Sequence, residues 1–142
     1  MILIDLNLLI YAVNEDAPQH LPAKAWLEQV LGGTETVALP WTVLLSFLRI
    51  TTRAGIFLKP LLPQVAFELV EGWLGQSPVT TVEPTAQHFR VLRDLLLPLG
   101  TAGNLTADAH LAALAIEHGA VLCSSDNDFS RFPRLRWRNP LS

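Results

Sequence analysis

Short apolar segments of strand length recur along this chain, and segments of helical spacing fill the intervals between them. That alternation indicates an α/β layered fold with a mainly parallel central sheet. Strands are expected over residues 1–4, 36–39, 79–82, 120–124 and 135–137. Helices are expected over residues 7–13, 22–31, 41–52, 63–75, 85–99 and 107–118. Asn7 and Thr106 are candidate N-caps, Pro63 suits a first helical turn, and Gly32-Gly33, Gly100 and Gly119 end the helices before them. Along residues 85–99, Phe89, Leu92 and Leu96 share one helical face. No repeat, low-complexity tract or long linker is visible, and 142 residues fit one domain, 1–142, with a real core.

The first of these segments, MILIDLNLLIYAVNED, sets a problem. An aspartate among apolar neighbours is costly to desolvate unless a cation or hydrogen-bond donors receive it. A signal peptide would need a basic start and an unbroken apolar core. Here no Lys or Arg precedes Lys24, and Asp5 interrupts the core, so the segment belongs to the fold. Half the residues are hydrophobic and 16% are charged, which excludes disorder. No apolar run has the length of a membrane span, so no membrane association is expected. The single cysteine, Cys123, precludes an intrachain disulfide, suits a reducing cytoplasm, and reads as a small buried hydrophobe. A net charge of −3 means that a nucleic-acid ligand would have to be gripped locally or through bound metal.

Ligands of open parallel sheets bind beyond the carboxyl ends of the strands. Asp5 follows the first strand, Asp126 follows the strand at 120–124, and Asp108 falls in the first turn of the helix leading into that strand. If these ends adjoin, three chain-distant carboxylates converge, with Asp128 two residues beyond. Such like charges raise one another's pKa unless a cation neutralises them. Oxygen-only ligands favour Mg²⁺ or Mn²⁺. Each residue also has a plainer reading: Asp5 and Asp108 as helix-start carboxylates, and Asp126 and Asp128 as turn residues. His110 could approach the site, but it lacks a second histidine at ligand spacing and reads more readily as structural or surface. His118 reads as a last-turn residue meeting free carbonyls, and the four tryptophans as core or interface.

These residues also carry a family resemblance. The opening ILIDLNLLIYAV and the block GNLTADAHLAALAIEHGAVLCSSDNDF, in that order, resemble the PIN-domain ribonucleases of the bacterial VapC toxin type. The resemblance implies a PIN-like three-layer sandwich. It further implies Mg²⁺ or Mn²⁺ held by Asp5, Asp108 and Asp126, with Asp128 in or just behind the ligand set and Ser124 at a recurrent hydroxyl position. The implied activity is metal-dependent hydrolysis of RNA phosphodiesters by the toxin of a type II toxin–antitoxin pair. A cognate antitoxin is the implied partner. A homodimer is expected from the same resemblance and from the apolar wealth of residues 41–50 and 57–62.

One departure accompanies it. The segment LPWTVLLSFLRI resembles the family helix that commonly carries a glutamate, and Ser46 stands at that position. A serine supplies no negative charge, so the alternative is a catalytically weakened or inactive PIN-fold binding module. A receiver-like or dehalogenase-like phosphate-handling domain fits less well. The latter wants a second aspartate where Asn7 stands, and the former wants a late lysine, whereas the only lysines are Lys24 and Lys59. Arg49, Arg53, Arg131, Arg134, Arg136 and Arg138 are candidates for an RNA track, an antitoxin contact or a solvated basic surface.

Overall fold

A computed structural model describes residues 1–142. Strands β1 (Ile2–Ile4), β2 (Val37–Ala38), β3 (Val79–Thr80), β4 (Val121–Cys123) and β5 (Trp137–Arg138) form one sheet in the order β3-β2-β1-β4-β5. Every neighbouring pair is parallel, and Ile2 stands opposite Val37 on one side and Val121 on the other. The helices are α1 (Leu6–Val13), α2 (His20–Leu31), α3 (Trp41–Thr51), α4 (Pro63–Leu74), α5 (His88–Leu96) and α6 (Thr106–Glu117).

The chain runs outward from β1 to β2 to β3, then returns across β1 to β4. Right-handed crossovers put helices of the outward and returning connections on opposite faces. In agreement, α1 packs on α2 and α3, and α3 on α4, while α5 packs on α6. The result is the expected α/β sandwich with a parallel central sheet. The reversal of direction falls between β1 and β4. α1 and α3 start from the carboxyl ends of their strands, and α6 ends just before β4, so its first turn lies at that same carboxyl edge.

The central strands are apolar on both faces because helices cover both. Ile2, Leu3, Ile4, Val37, Leu122 and Cys123 are buried in one continuous core with Leu8, Leu9, Leu44, Phe47 and Leu114. Several boundaries differ from expectation, each for a local reason. α1 is capped by Asp5, not Asn7, because the Leu6 N–H donates to Asp5 Oδ1 at 2.7 Å. α2 begins two residues before Pro22, whose missing N–H costs nothing in a first turn. Thr106 is not a cap, since a 3₁₀ turn at Gly103–Leu105 leads into α6 and makes Thr106 its first residue. Past α5 the chain tightens into a 3₁₀ turn at Leu97–Leu99, where Pro98 removes an amide, and Gly100 closes it at φ 71°.

Phe89 is not on the buried face of α5, which presents Val91, Leu95 and Leu96, and the residue is 77% exposed. Among the tryptophans Trp73 is buried and Trp41 is exposed. His118 meets a carbonyl of the loop between β3 and α5, Glu83 O, at 2.7 Å instead of its own helix. Cys123 is a free, fully buried thiol, as expected. No helix is long and apolar enough to cross a membrane.

α3 carries Ser46, and its inner face is anchored by Phe47, which packs edge-on against Trp73 of α4 at 4.8 Å. Truncating a fully buried aromatic leaves a cavity the helices cannot close. Phe47→Ala is therefore expected to cost about 3–5 kcal/mol in urea unfolding.

Candidate metal centre

The site begins with a buried hydroxyl. Ser124 directly follows β4 with no exposed surface, and its Oγ–H donates to Asp5 Oδ2 at 2.7 Å across the β1–β4 switch. The same oxygen accepts from Asn7 Nδ2 at 3.2 Å and from the Asp126 N–H at 3.0 Å. Asp126 in turn accepts the Asp128 N–H on Oδ1 at 2.9 Å, so the chain curls into the 3₁₀ turn Asn127–Arg131. The turn chemistry and the proposed ligand chemistry of Asp126 therefore coexist. One oxygen caps the turn and the carboxylate still faces the site.

Asp108 reaches this place from the first turn of α6. Carboxylate oxygens of Asp108, Asp126 and Asp128 lie within 4.8 Å of one another. Asp5 stands deeper, nearly buried, and lines one groove with Asp108. The tightest trio thus contains Asp128 where sequence reasoning had Asp5. Asp5 is drawn inward because both of its oxygens receive protein donors, Leu6 N–H and Ser124 Oγ–H.

The electrostatics follow. Burial pushes the Asp5 carboxyl up from its ordinary value, against the lowering effect of the Ser124 and Leu6 hydrogen bonds, and the Asp126 charge adds to the rise. Asp108 is pushed up to about 6, first by burial and then by the charges of Asp126, Asp5 and Asp128. Mutual repulsion of this kind is what a bound cation relieves. An oxygen-only donor set of crowded carboxylates fits a hard divalent ion. Arg131 Nε stands 3.8 Å from Asp128 Oδ1, but both side chains are about half exposed and the pair adds little.

The groove beside the carboxylates encloses about 670 Å³ between α3 and α6. Thr42 and Ser46 line it from α3, and Asn104, Thr106 and His110 from the start of α6. Ser46 therefore opens onto the same space as Asp5 and Asp108, although no hydrogen bond ties it to either. From sequence, Asn7 reads only as a cap, and His110, though able to approach the site, reads more readily as a structural or surface residue. A polar residue two places after a strand-end aspartate was the available signal for Asn7. The arginines divide: Arg136 donates to Gly119 O at 2.6 Å, Arg138 lies against the Cys123 sulfur, and Arg49 and Arg53 are exposed.

Asp108 carries a folded-state pKa above the ordinary 3.8, so the folded chain holds the extra proton between roughly pH 4 and 6. Its contribution to metal-free stability is therefore fully present below that window and is lost as pH rises through 6. Asp108→Asn should melt higher than the parent at pH 7.5 without metal, with the gap closing toward pH 4. Millimolar Mn²⁺ should raise the parent's melting temperature more than the variant's. Differential scanning fluorimetry across pH, with and without Mn²⁺, reads both effects.

Comparison with known proteins adds ancestry to this geometry. Residues 2–135 match the family described as PIN domain. Ribonuclease VapC37 of Mycobacterium tuberculosis is 42% identical over 140 residues, covering 99% of this chain and 97% of that protein. Ribonuclease VapC33 of the same species is 42% identical over 141 residues, covering 99% of each. Among solved structures, VapBC2 from Rickettsia felis bound to a promoter DNA fragment superposes with a TM-score of 0.70 at 22% identity, covering 98% of both chains. VapBC-1 from nontypeable Haemophilus influenzae gives 0.71 at 17% identity over the whole of both. At those identities the structural likeness speaks for the fold.

Proposed function

The chain belongs to the PIN-domain family of VapC ribonucleases, and on that premise we propose that it is a divalent-metal-dependent endoribonuclease acting as the toxin of a toxin–antitoxin pair. The observation that carries the reading is the convergence of Asp108, Asp126 and Asp128 to within 4.8 Å, with Asp5 in the adjoining groove. Asp5, Asp108 and Asp126 hold Mg²⁺ or Mn²⁺ in this proposal, and Asp128 supplies a further oxygen at the outer lip. A divalent ion there supplies Lewis-acid stabilisation of phosphate charge and a nucleophile at neutral pH.

The chain's own residues do the rest. Ser124 orients Asp5, and Asn7 holds Ser124, so the inner carboxylate presents a fixed face. The backbone turn after β4 fixes Asp126 and Asp128 relative to each other. The groove between α3 and α6 receives an RNA strand in extended form, and Thr42, Ser46 and Asn104 offer it uncharged hydrogen-bonding groups. A divalent ion held by these carboxylates would offset the local negative field of a chain of net charge −3 for an approaching phosphate.

The partners and setting belong to the same proposal. The family relatives solved as VapBC complexes support an antitoxin partner. Exposed Trp41, Leu45, Ile56, Leu58 and Leu62 offer apolar surface for that antitoxin or for a second copy of the chain. The chain acts as one domain in the cytoplasm, where its free thiol stays reduced.

Ser46 keeps a second reading alive, in which the fold survives as a binding module without cleavage. A Mn²⁺ titration of cleavage on total cellular RNA separates the two. The parent should cut, and Asp5→Asn should fall below detection with its fold intact, since the amide preserves shape and removes charge. Ser46→Glu should cut at lower metal concentration, by about tenfold or more if the new carboxylate reaches the ion. Parent and Ser46→Glu both inert at millimolar Mn²⁺, free of antitoxin, would establish the binding module instead.

A further inference from the structure

Behind the groove lies a polar chain that the metal centre does not use. Glu117, at the end of α6, has only 2% of its side chain exposed. Its Oε1 accepts from the Thr85 N–H at 2.9 Å and the Thr85 hydroxyl at 2.6 Å, and its Oε2 meets His88 Nδ1. Burial would raise its pKa, but the hydrogen bonds from Thr85 and His88 outweigh that and hold the carboxyl below its ordinary value. His88 Nε2 then lies 2.9 Å from His110 Nδ1, with the two rings edge to face at 77°. His110 lines the groove that Asp108 also lines. Its Nε2 has no protein partner, and no buried side-chain nitrogen or oxygen lacks one, so that atom is open to solvent.

With neutral imidazoles, one tautomer satisfies every contact. An ionised Glu117 accepts from His88 Nδ1–H, which leaves His88 Nε2 to accept from His110 Nδ1–H. His110 Nε2 is then a lone pair aimed outward, an acceptor with a fixed direction. A tie meant only to pin α5 to α6 would be complete at the His88–Glu117 pair. Extending it to a groove-lining ring whose last nitrogen is free of protein partners leaves that nitrogen oriented for a ligand, as an imidazole is oriented elsewhere by a carboxylate behind it. An acceptor repels phosphate oxygens and selects a donor. On an RNA strand lying in this groove, the donor that every nucleotide carries and DNA lacks is the ribose 2′-hydroxyl.

We propose that His110 is a specificity-determining residue whose Nε2 accepts a hydrogen bond from a 2′-hydroxyl of the RNA strand flanking the carboxylates, with His88 and Glu117 as positioning residues behind it. This rests on the nuclease reading for its substrate, and the test separates the two. Binding of the full chain to a fluorescein-labelled random-sequence RNA twelve-mer and to its DNA counterpart is measured by anisotropy at pH 8 in Ca²⁺, with the oligonucleotides checked to be intact. The parent should prefer RNA. His110→Ala should weaken RNA binding about fivefold to tenfold, the worth of one hydrogen bond, and leave DNA binding unchanged. His88→Ala should act in the same direction, and the double variant should be no worse than His110→Ala alone, because the two act through one atom. Long-range ¹H–¹⁵N spectra of the parent should show His110 as the Nδ1–H tautomer, a readout that needs no variant to fold. Equal loss of RNA and DNA binding, no loss, no RNA preference in the parent, or an Nε2–H tautomer would each overturn the proposal. Failure of Mn²⁺-dependent cleavage with the RNA preference intact would sink the nuclease reading and leave this one standing.

Discussion

The hydrogen bond from Ser124 to Asp5 joins the carboxyl ends of the two strands between which the sheet reverses direction. Both groups are almost wholly removed from water, so neither tolerates the loss of the other. Much of the site is tied to it. Asn7 reaches the same hydroxyl, the Asp126 amide donates to it, and the turn that brings Asp128 round begins there. The parallel ladder carries this geometry into the core, since the Asp5 amide still donates to Cys123 O at 3.0 Å. Site and fold thus share these hydrogen bonds: the sheet places Asp5 and Ser124, the turn after β4 places Asp126 and Asp128, and the first turn of α6 places Asp108.

What the sheet assembles is electrostatically uncomfortable. Four carboxylates share a small volume, and two of them have raised pKa values chiefly because they are desolvated. The helix starts at the carboxyl edge offset part of this strain, with α1 capped directly by Asp5 and α6 carrying Asp108 in its first turn. In the proposed metal centre, the remaining repulsion is what a divalent cation would relieve. Ser46 brings no charge to the groove, where the family resemblance implies a glutamate. Asp128, inside the tight trio, adds a carboxylate to the same edge.

The strand–helix alternation, the parallel sheet and the gathering of Asp5, Asp108, Asp126 and Asp128 at one edge were legible in the sequence. They depend on periodicity and on element ends, which residue order encodes directly. The resemblance sharpened the same residues into a family. Less legible was anything decided by competition between local partners. Asn7 looked like a cap because it precedes an apolar helical run, but Asp5 is two residues nearer the strand and won the Leu6 amide. Phe89 fitted one helical face with Leu92 and Leu96, yet α5 docks through Val91, Leu95 and Leu96. The Glu117–His88–His110 chain joins residues up to 29 positions apart across two helices, a pairing no spacing rule reveals.

The central claim is that these carboxylates form one divalent-cation site at the β1–β4 switch. An anomalous difference map from crystals of the full chain grown with Mn²⁺ tests it most directly. A peak bounded by carboxylate oxygens of Asp108 and Asp126, with Asp5 or Asp128 completing the oxygen ligands, is the predicted result. A fully occupied map elsewhere with none at this edge, or no Mn²⁺ peak at all at millimolar concentration, would contradict the account.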